Sequence, residues 1–154
     1  FVFGYGPAGK AAARAASKQG YLPKIIELNT ENTPQEKNFK FFVGDIQQVD
    51  NLTHFGIKEA THVVITTPTR SVNDHAILNV KALAPNAFIL VRSRHIIHNQ
   101  HYYELGADKV ISDEEAIGTE LERHITETLS WRFYSFSHIA MSRWEFLDLA
   151  TSDK

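Results

Sequence analysis

An α/β fold built on a doubly wound, parallel, six-stranded sheet, with a helical extension at its C-terminal end, follows from three features of the sequence. Short apolar runs alternate with helix-like stretches from Phe1 to about Ile111, which is the pattern of βαβ units. Those runs are apolar throughout rather than at every second residue, as in strands covered by helices on both faces. The first run ends in a glycine-rich turn that opens a helix, the place where such sheets bind ligands.

Taken in order, the strands are expected at Phe1-Val2-Phe3, Lys24-Ile25-Ile26, Phe41-Phe42-Val43, His62-Val63-Val64-Ile65, Phe88-Ile89-Leu90-Val91 and Lys109-Val110-Ile111. Helices are expected from Pro7 to Gln19, Val49 to Phe55, Asn73 to Leu83 and Ile96 to Leu105, with only Pro34 to Asn38 available for one between the second and third strands. That connection still meets the minimum of about ten residues that a parallel crossover needs. Right-handed crossovers then predict the order 3-2-1-4-5-6, with a ligand crevice beyond the carboxyl ends of strands one and four.

The C-terminal stretch is of another kind. From Thr119 to Lys154 there is neither glycine nor proline, and Leu121, Ile125, Leu129, Phe133, Phe136, Ala140, Trp144 and Leu147 recur every three or four positions. This is an apolar helical stripe. Unbroken from about Glu114 to Leu149, it would run roughly 50 Å at 1.5 Å per residue, past the edge of a domain of this size. Trp131, Phe133, Tyr134, Phe136 and Trp144 are too much aromatic surface to leave in water. The expectation is that the tail crosses to a second subunit, rather than breaking around Ser135 to His138 and folding back. The division is therefore residues 1–130 as the sheet domain and 131–154 as an aromatic-rich helical tail used in dimerisation.

Composition excludes several classes. A formal net charge of −2 offers no basic field for nucleic acid. Without cysteine there is neither a disulfide framework nor a thiolate metal site, which suits a reducing compartment. No stretch approaches the roughly 20 apolar residues of a membrane span. Beginning at Phe1, already inside an apolar run and with no signal-peptide pattern, the chain reads as a piece of a longer protein.

Gly4-Tyr5-Gly6-Pro7-Ala8-Gly9 is a complete Gly-x-Gly-x-x-Gly between a strand and a helix, the context in which that pattern binds a dinucleotide. Gly4 makes the tight turn, Gly6 lets the backbone approach a pyrophosphate and Gly9 lets the helix pack on the sheet, while the free N–H groups at the helix start attract the anion. Pro7 suits the first helical position, where its missing N–H costs nothing. Glu27, roughly 20 residues further on at the end of the second strand, is placed to accept hydrogen bonds from ribose hydroxyls and to repel a 2′-phosphate. These features make the domain Rossmann-like.

Asp45, after Gly44 at the third strand's end, either meets the adenine edge or caps the following helix. Thr66, Thr67 and Pro68 end the fourth strand beside the crevice, with hydroxyls in reach of phosphate or sugar. Arg92, at the end of the fifth strand, and Arg94 near it are candidate phosphate partners or ordinary surface cations. Glu114 and Glu115 read as dipole partners of the last helix. His95, His98 and His101 fall three apart, a spacing in principle able to hold a metal, but they drift around a helix with no carboxylate arranged beside them, and no metal site is expected.

The chain resembles the RCK, or TrkA-N, regulatory domains of potassium channels and transporters, and among them the cytosolic domains of Kef-type potassium/proton antiporters. The resemblance is carried by Gly4-Tyr5-Gly6-Pro7-Ala8-Gly9, Ile26-Glu27-Leu28-Asn29, Val43-Gly44-Asp45, Gly56-Ile57 with Ala60, Pro85-Asn86, Arg92-Ser93-Arg94 and Leu105-Gly106-Ala107-Asp108-Lys109-Val110, in that order from Phe1 to about Leu129. It implies that Gly6, Pro7 and Ala8 lie at the phosphates, Glu27 on a ribose, Asp45 and Ile46 by the adenine, and Thr66, Thr67 and Arg92 along the rest of the nucleotide. It further implies AMP or NAD(H) as ligand, with NADP disfavoured, a homodimer through the C-terminal helices, a transmembrane transport domain as partner and a place at the cytoplasmic face of the membrane. Pro7 stands where many members carry a basic residue, which favours a mononucleotide, and the segment from Asn29 to Lys40 is short for the family.

An enzyme is the sharpest alternative, as a NAD-dependent oxidoreductase domain. No Tyr-x-x-x-Lys pair supports it, since Tyr5, Tyr21, Tyr102, Tyr103 and Tyr134 are followed four residues on by Gly9, Ile25, Gly106, Ala107 and His138. A stand-alone redox or nucleotide sensor is the third reading. The expectation is a nucleotide sensor that gates transport and is not an enzyme.

Overall fold

The computed structural model describes residues 1–29, 31 and 38–130. Six parallel strands, β1 (Val2–Phe3), β2 (Lys24–Glu27), β3 (Lys40–Val43), β4 (His62–Ile65), β5 (Phe88–Ser93) and β6 (Lys109–Ser112), form one sheet in the order β3-β2-β1-β4-β5-β6. This is the expected order, and every pairing is parallel. The helices are α1 (Pro7–Lys18), α2 (Val49–His54), α3 (Arg70–Leu83) and α4 (Asn99–Glu104); a fifth, α5, begins at residue 113 and continues to 130. The chain divides into two compact units, Phe1–Glu115, which holds the sheet, and Ala116–Lys154.

Alternation along the central strands builds a core on each face of the sheet. Val2 and Ile25 point to one side, where they pack with Tyr5 and Ala13 of the glycine turn and α1. That helix buries only Gly9 and Ala13, so its backbone lies close to the strands. Phe3 and Ile26 point to the other side and join Val63, Ile65, Ile89 and Val91. The larger core is closed by α3, whose buried residues Asn73, Ala76, Ile77 and Val80 keep the spacing of one helical face.

Two expectations change. The edge strands are not apolar on both faces in use: β3 leaves Lys40 and Val43 exposed, and β6 alternates exposed Lys109 and Ile111 with buried Val110 and Ser112. A strand at a sheet edge has fewer neighbours to cover it than a central one. The third helix starts at Arg70 rather than Asn73, because its first turn is polar and carries no periodic apolar signal. The short helix expected from Pro34 lies almost wholly outside the described residues, as does the tail from Trp131 onward; within 113–130 the helical expectation holds, with Ile117, Leu121, Ile125 and Leu129 exposed along it.

Candidate functional site

The three glycines of the turn stand in three different environments. Gly4 has φ +86°, a left-handed conformation that side chains other than glycine's rarely adopt, and its N–H donates to Ile26 O at 2.9 Å. A Cβ on Gly9 would lie 2.0 Å from the Gly4 carbonyl oxygen and 3.0 Å from Thr66 Oγ1. Gly9 is thus demanded by the packing of α1 on the turn. A Cβ on Gly6 would meet no atom within 4 Å. Gly6 has ordinary extended backbone at φ −67° and ψ −171°, so nothing in the folded chain requires glycine there. The open space in front of it, at the N-terminal end of α1, is where a phosphate would approach.

Glu27 closes one side of this space. Its Oε2 accepts the Tyr5 N–H at 2.6 Å and its Oε1 the Asn29 N–H at 2.9 Å. The carboxylate is therefore pinned between the glycine turn and the end of β2, and each oxygen retains a further lone pair for a ribose hydroxyl. Asn29 Oδ1 accepts the Glu31 N–H at 3.0 Å, while Leu28 is exposed. Pro7 opens α1 and Ala8, half-buried, follows it.

Other expected contributors are placed differently. The Tyr5 side chain is buried against Phe39 and Phe41 in edge-to-face contacts, so Tyr5 offers the crevice its backbone only. Thr66 is buried, and its hydroxyl donates to Phe3 O at 2.9 Å and Gly4 O at 3.2 Å. It bolts the end of β4 to the glycine turn. The Thr67 hydroxyl donates to Asn73 Oδ1, and Pro68 is exposed at the rim. Ile46 is buried in the larger core. At Gly44 a Cβ would lie 2.9 Å from the Phe55 ring, so glycine there makes room for that ring, itself stacked on Phe42. Asp45 makes a local turn, its Oδ1 accepting the Gln47 N–H at 2.9 Å, and the N-cap position of α2 falls to Gln48, whose side chain makes no capping hydrogen bond.

Arg92 reaches towards the crevice but arrives paired. Its Nε and Nη2 donate to Asp113 Oδ1 and Oδ2 at 2.8 and 2.5 Å, and Nη1 donates to Thr66 O at 3.4 Å. The hydrogen bonds from Arg92 hold the Asp113 carboxyl below the usual carboxylate range, and the same bonds raise the Arg92 guanidinium. Asp113 passed unnoticed in the sequence beside its neighbours Glu114 and Glu115. Those two hold the loop after β5: Glu114 accepts the Ile96 N–H at 2.8 Å and faces His95 Nδ1 at 2.9 Å, and Glu115 accepts from Asn99 Nδ2 at 3.1 Å. His101 turns away, its Nε2 standing 3.1 Å from Asp74 Oδ1. Among the described residues no cluster of side chains is arranged to hold a metal.

Asn73 is the second residue that sequence reasoning missed. It is 1% exposed, and its Nδ2 donates to Thr67 O, Arg92 O and Tyr102 Oη at 3.2, 3.4 and 3.4 Å. One amide thus ties together the ends of β4 and β5 and α4. Burial pushes the Tyr102 hydroxyl up, partly offset by Asn73. The available signal was a polar residue on the apolar stripe of α3. Asn73→Ala strands the Thr67 hydroxyl and carbonyl in a partly buried site and is expected to destabilise the chain by about 2 kcal/mol, read from the urea unfolding midpoint; an unchanged midpoint would show that water replaces the amide.

A cavity of about 550 Å³ lies at the opposite end of the sheet, lined among others by Phe1, Ala12, Pro23 and Val64. It is largely apolar and remote from the glycine turn, so the crevice at the turn is the candidate site.

Among families of known domains, the one described as the TrkA-N domain matches residues 1–113. Similar solved structures include the TrkA-N domain of the inner membrane protein ybaL from Escherichia coli, 17% identical with a TM-score of 0.74 over 79% of this chain and 92% of that one. The Shewanella denitrificans Kef C-terminal domain in its AMP-bound form is 23% identical, with a TM-score of 0.69 over 96% of this chain and 92% of that one. The GsuK channel bound to NAD is 18% identical, with a TM-score of 0.64 over 71% of this chain; the match spans only 20% of the channel chain. No curated protein matches in sequence.

Proposed function

This chain belongs to the TrkA-N domain family, and on that premise we propose that it is the ligand-sensing regulatory domain of a potassium-transport protein, a Kef-type cation/proton antiporter or a channel. In this reading it binds an adenine nucleotide at the glycine turn and does no chemistry on it. The observation that carries the reading is the contrast within the turn: Gly4 and Gly9 are glycine for the fold, whereas Gly6 faces open space beside the pinned carboxylate of Glu27. A turn built only for architecture has no use for a glycine at position 6.

AMP or NAD(H) suits the site, because the Glu27 carboxylate accepts from ribose hydroxyls and repels a 2′-phosphate. Gly6, Pro7 and Ala8 would lie at the phosphates, with Asp45 and the Ile46 backbone towards the adenine. The AMP-bound and NAD-bound states of two structural relatives support the same ligand classes. Among the described residues no helix is long and apolar enough to cross a membrane, so the ion pathway would belong to a transmembrane domain of the same or a partner chain, with this domain at the cytoplasmic face. A homodimer joined through the C-terminal helices, including the tail at 131–154, would cover the exposed stripe Ile117, Leu121, Ile125 and Leu129. Occupancy would shift the balance between two dimer arrangements by the difference in nucleotide affinity for them.

The test is a thermal-shift series with AMP, ADP, ATP, NAD+, NADH and NADP+. A ligand present at 100 times its Kd adds about 2.7 kcal/mol to stability, a rise of roughly 5–10 °C for a chain of this size. AMP or NAD(H) is expected to give such a rise and NADP+ little. No response to any of the six would make the turn architectural and sink the sensor reading.

A further inference from the structure

The phosphate end of the crevice contains an arginine whose charge is already matched. Arg92 and Asp113 meet through two parallel hydrogen bonds, the geometry in which a guanidinium and a carboxylate are most specifically held. The remaining nitrogen, Nη1, contacts Thr66 O, and Thr66 in turn is bonded to the Gly4 carbonyl. The guanidinium therefore lies one residue's contact away from the glycine turn, where phosphates would sit. About 30% of each side chain is exposed on this pair, so the pair is open to solvent and to a ligand. Arg94, one residue past the end of the same strand, also bears electrostatically on Asp113.

We propose that Asp113 is a specificity-determining residue of the nucleotide site: by neutralising Arg92 it denies the phosphates a net positive side chain and turns the site against highly charged ligands such as ATP. The inference rests on the nucleotide reading above. With Arg92 matched, the attraction for phosphate comes from the backbone N–H groups and the dipole of α1, which amount to about half an elementary charge. That suits one phosphate group, or a pyrophosphate whose charge is spread over two esters. It gives little to the third phosphate of ATP. A lone arginine at the same place would reward each added phosphate charge.

The experiment is calorimetric titration of the chain and of its Asp113→Asn variant with AMP, ADP and ATP, without magnesium and at low salt. Asparagine retains an oxygen for one Arg92 N–H and removes the charge. Affinity is expected to rise in the variant by about twofold for AMP and about tenfold for ATP, with ADP between, and the gradient should collapse at high salt. Asp113→Ser, which removes the same charge in a smaller side chain, should reproduce the gradient. An equal change for all three nucleotides, or weaker binding of all three, would overturn the proposal and leave Asp113 as a support that holds Arg92 in place. Failure of the unaltered chain to bind any nucleotide would instead overturn the site itself, and the proposal with it.

Discussion

Replacing Gly9 by alanine is expected to destabilise the chain by about 3 kcal/mol and to lower its melting midpoint by roughly 10 °C. The new Cβ would lie 2.0 Å from the Gly4 carbonyl oxygen, far inside contact distance, and the obstacle is backbone rather than the end of a flexible side chain. Relief requires α1 to lift from the sheet or the turn to shift. Either movement strains the Gly4 N–H to Ile26 O bond and the Thr66 hydrogen bonds to Phe3 and Gly4. Alanine's better helix propensity returns at most about 1 kcal/mol, so the clash wins. Thermal unfolding without ligand measures the effect, and a midpoint equal to that of the parent chain would mean that the helix and turn are less closely packed than described.

Gly6→Val should do the reverse, leaving stability within about 1 kcal/mol while weakening nucleotide binding about 100-fold. The backbone at Gly6 is of a kind any residue adopts, and the side chain would enter space that the protein leaves empty. If phosphate occupies that space, valine displaces it from the backbone N–H groups. Loss of two charge-assisted hydrogen bonds at about 1.5 kcal/mol each corresponds to the stated factor. Measured by titration with AMP or NAD(H), affinity unchanged by valine would place the phosphates elsewhere, even if the chain binds nucleotide.

The two variants show how far the motif can be read without the fold. The spacing of Gly4, Gly6 and Gly9 identified a strand-to-helix turn, and the ordering of the apolar runs was enough for the sheet order, because strand periodicity and short crossovers are local properties of the chain. Glu27 was legible for the same reason: it ends the second strand, and in a parallel sheet the ends of neighbouring strands lie together. The exposure of the edge strands was less legible, because an apolar run has the same composition at the centre and at the margin of a sheet.

What the sequence by itself determined is thus the Rossmann-like class, the strand order and the end of the sheet at which the glycine turn and Glu27 meet. Only the tertiary structure decided which hydroxyls and charges are free to meet a ligand. Thr66, a short polar side chain at a strand end, is spent on the Phe3 and Gly4 carbonyls; Arg92 is matched by Asp113; and Asn73 is a buried junction between two strand ends and α4. Apart from the Asn73 bond to Thr67 O, six residues away, each of these bonds joins residues distant in sequence. Their pairing follows from how helices and strands close over one another, where a buried polar group must find a partner, and no local period in the chain records which partner it finds.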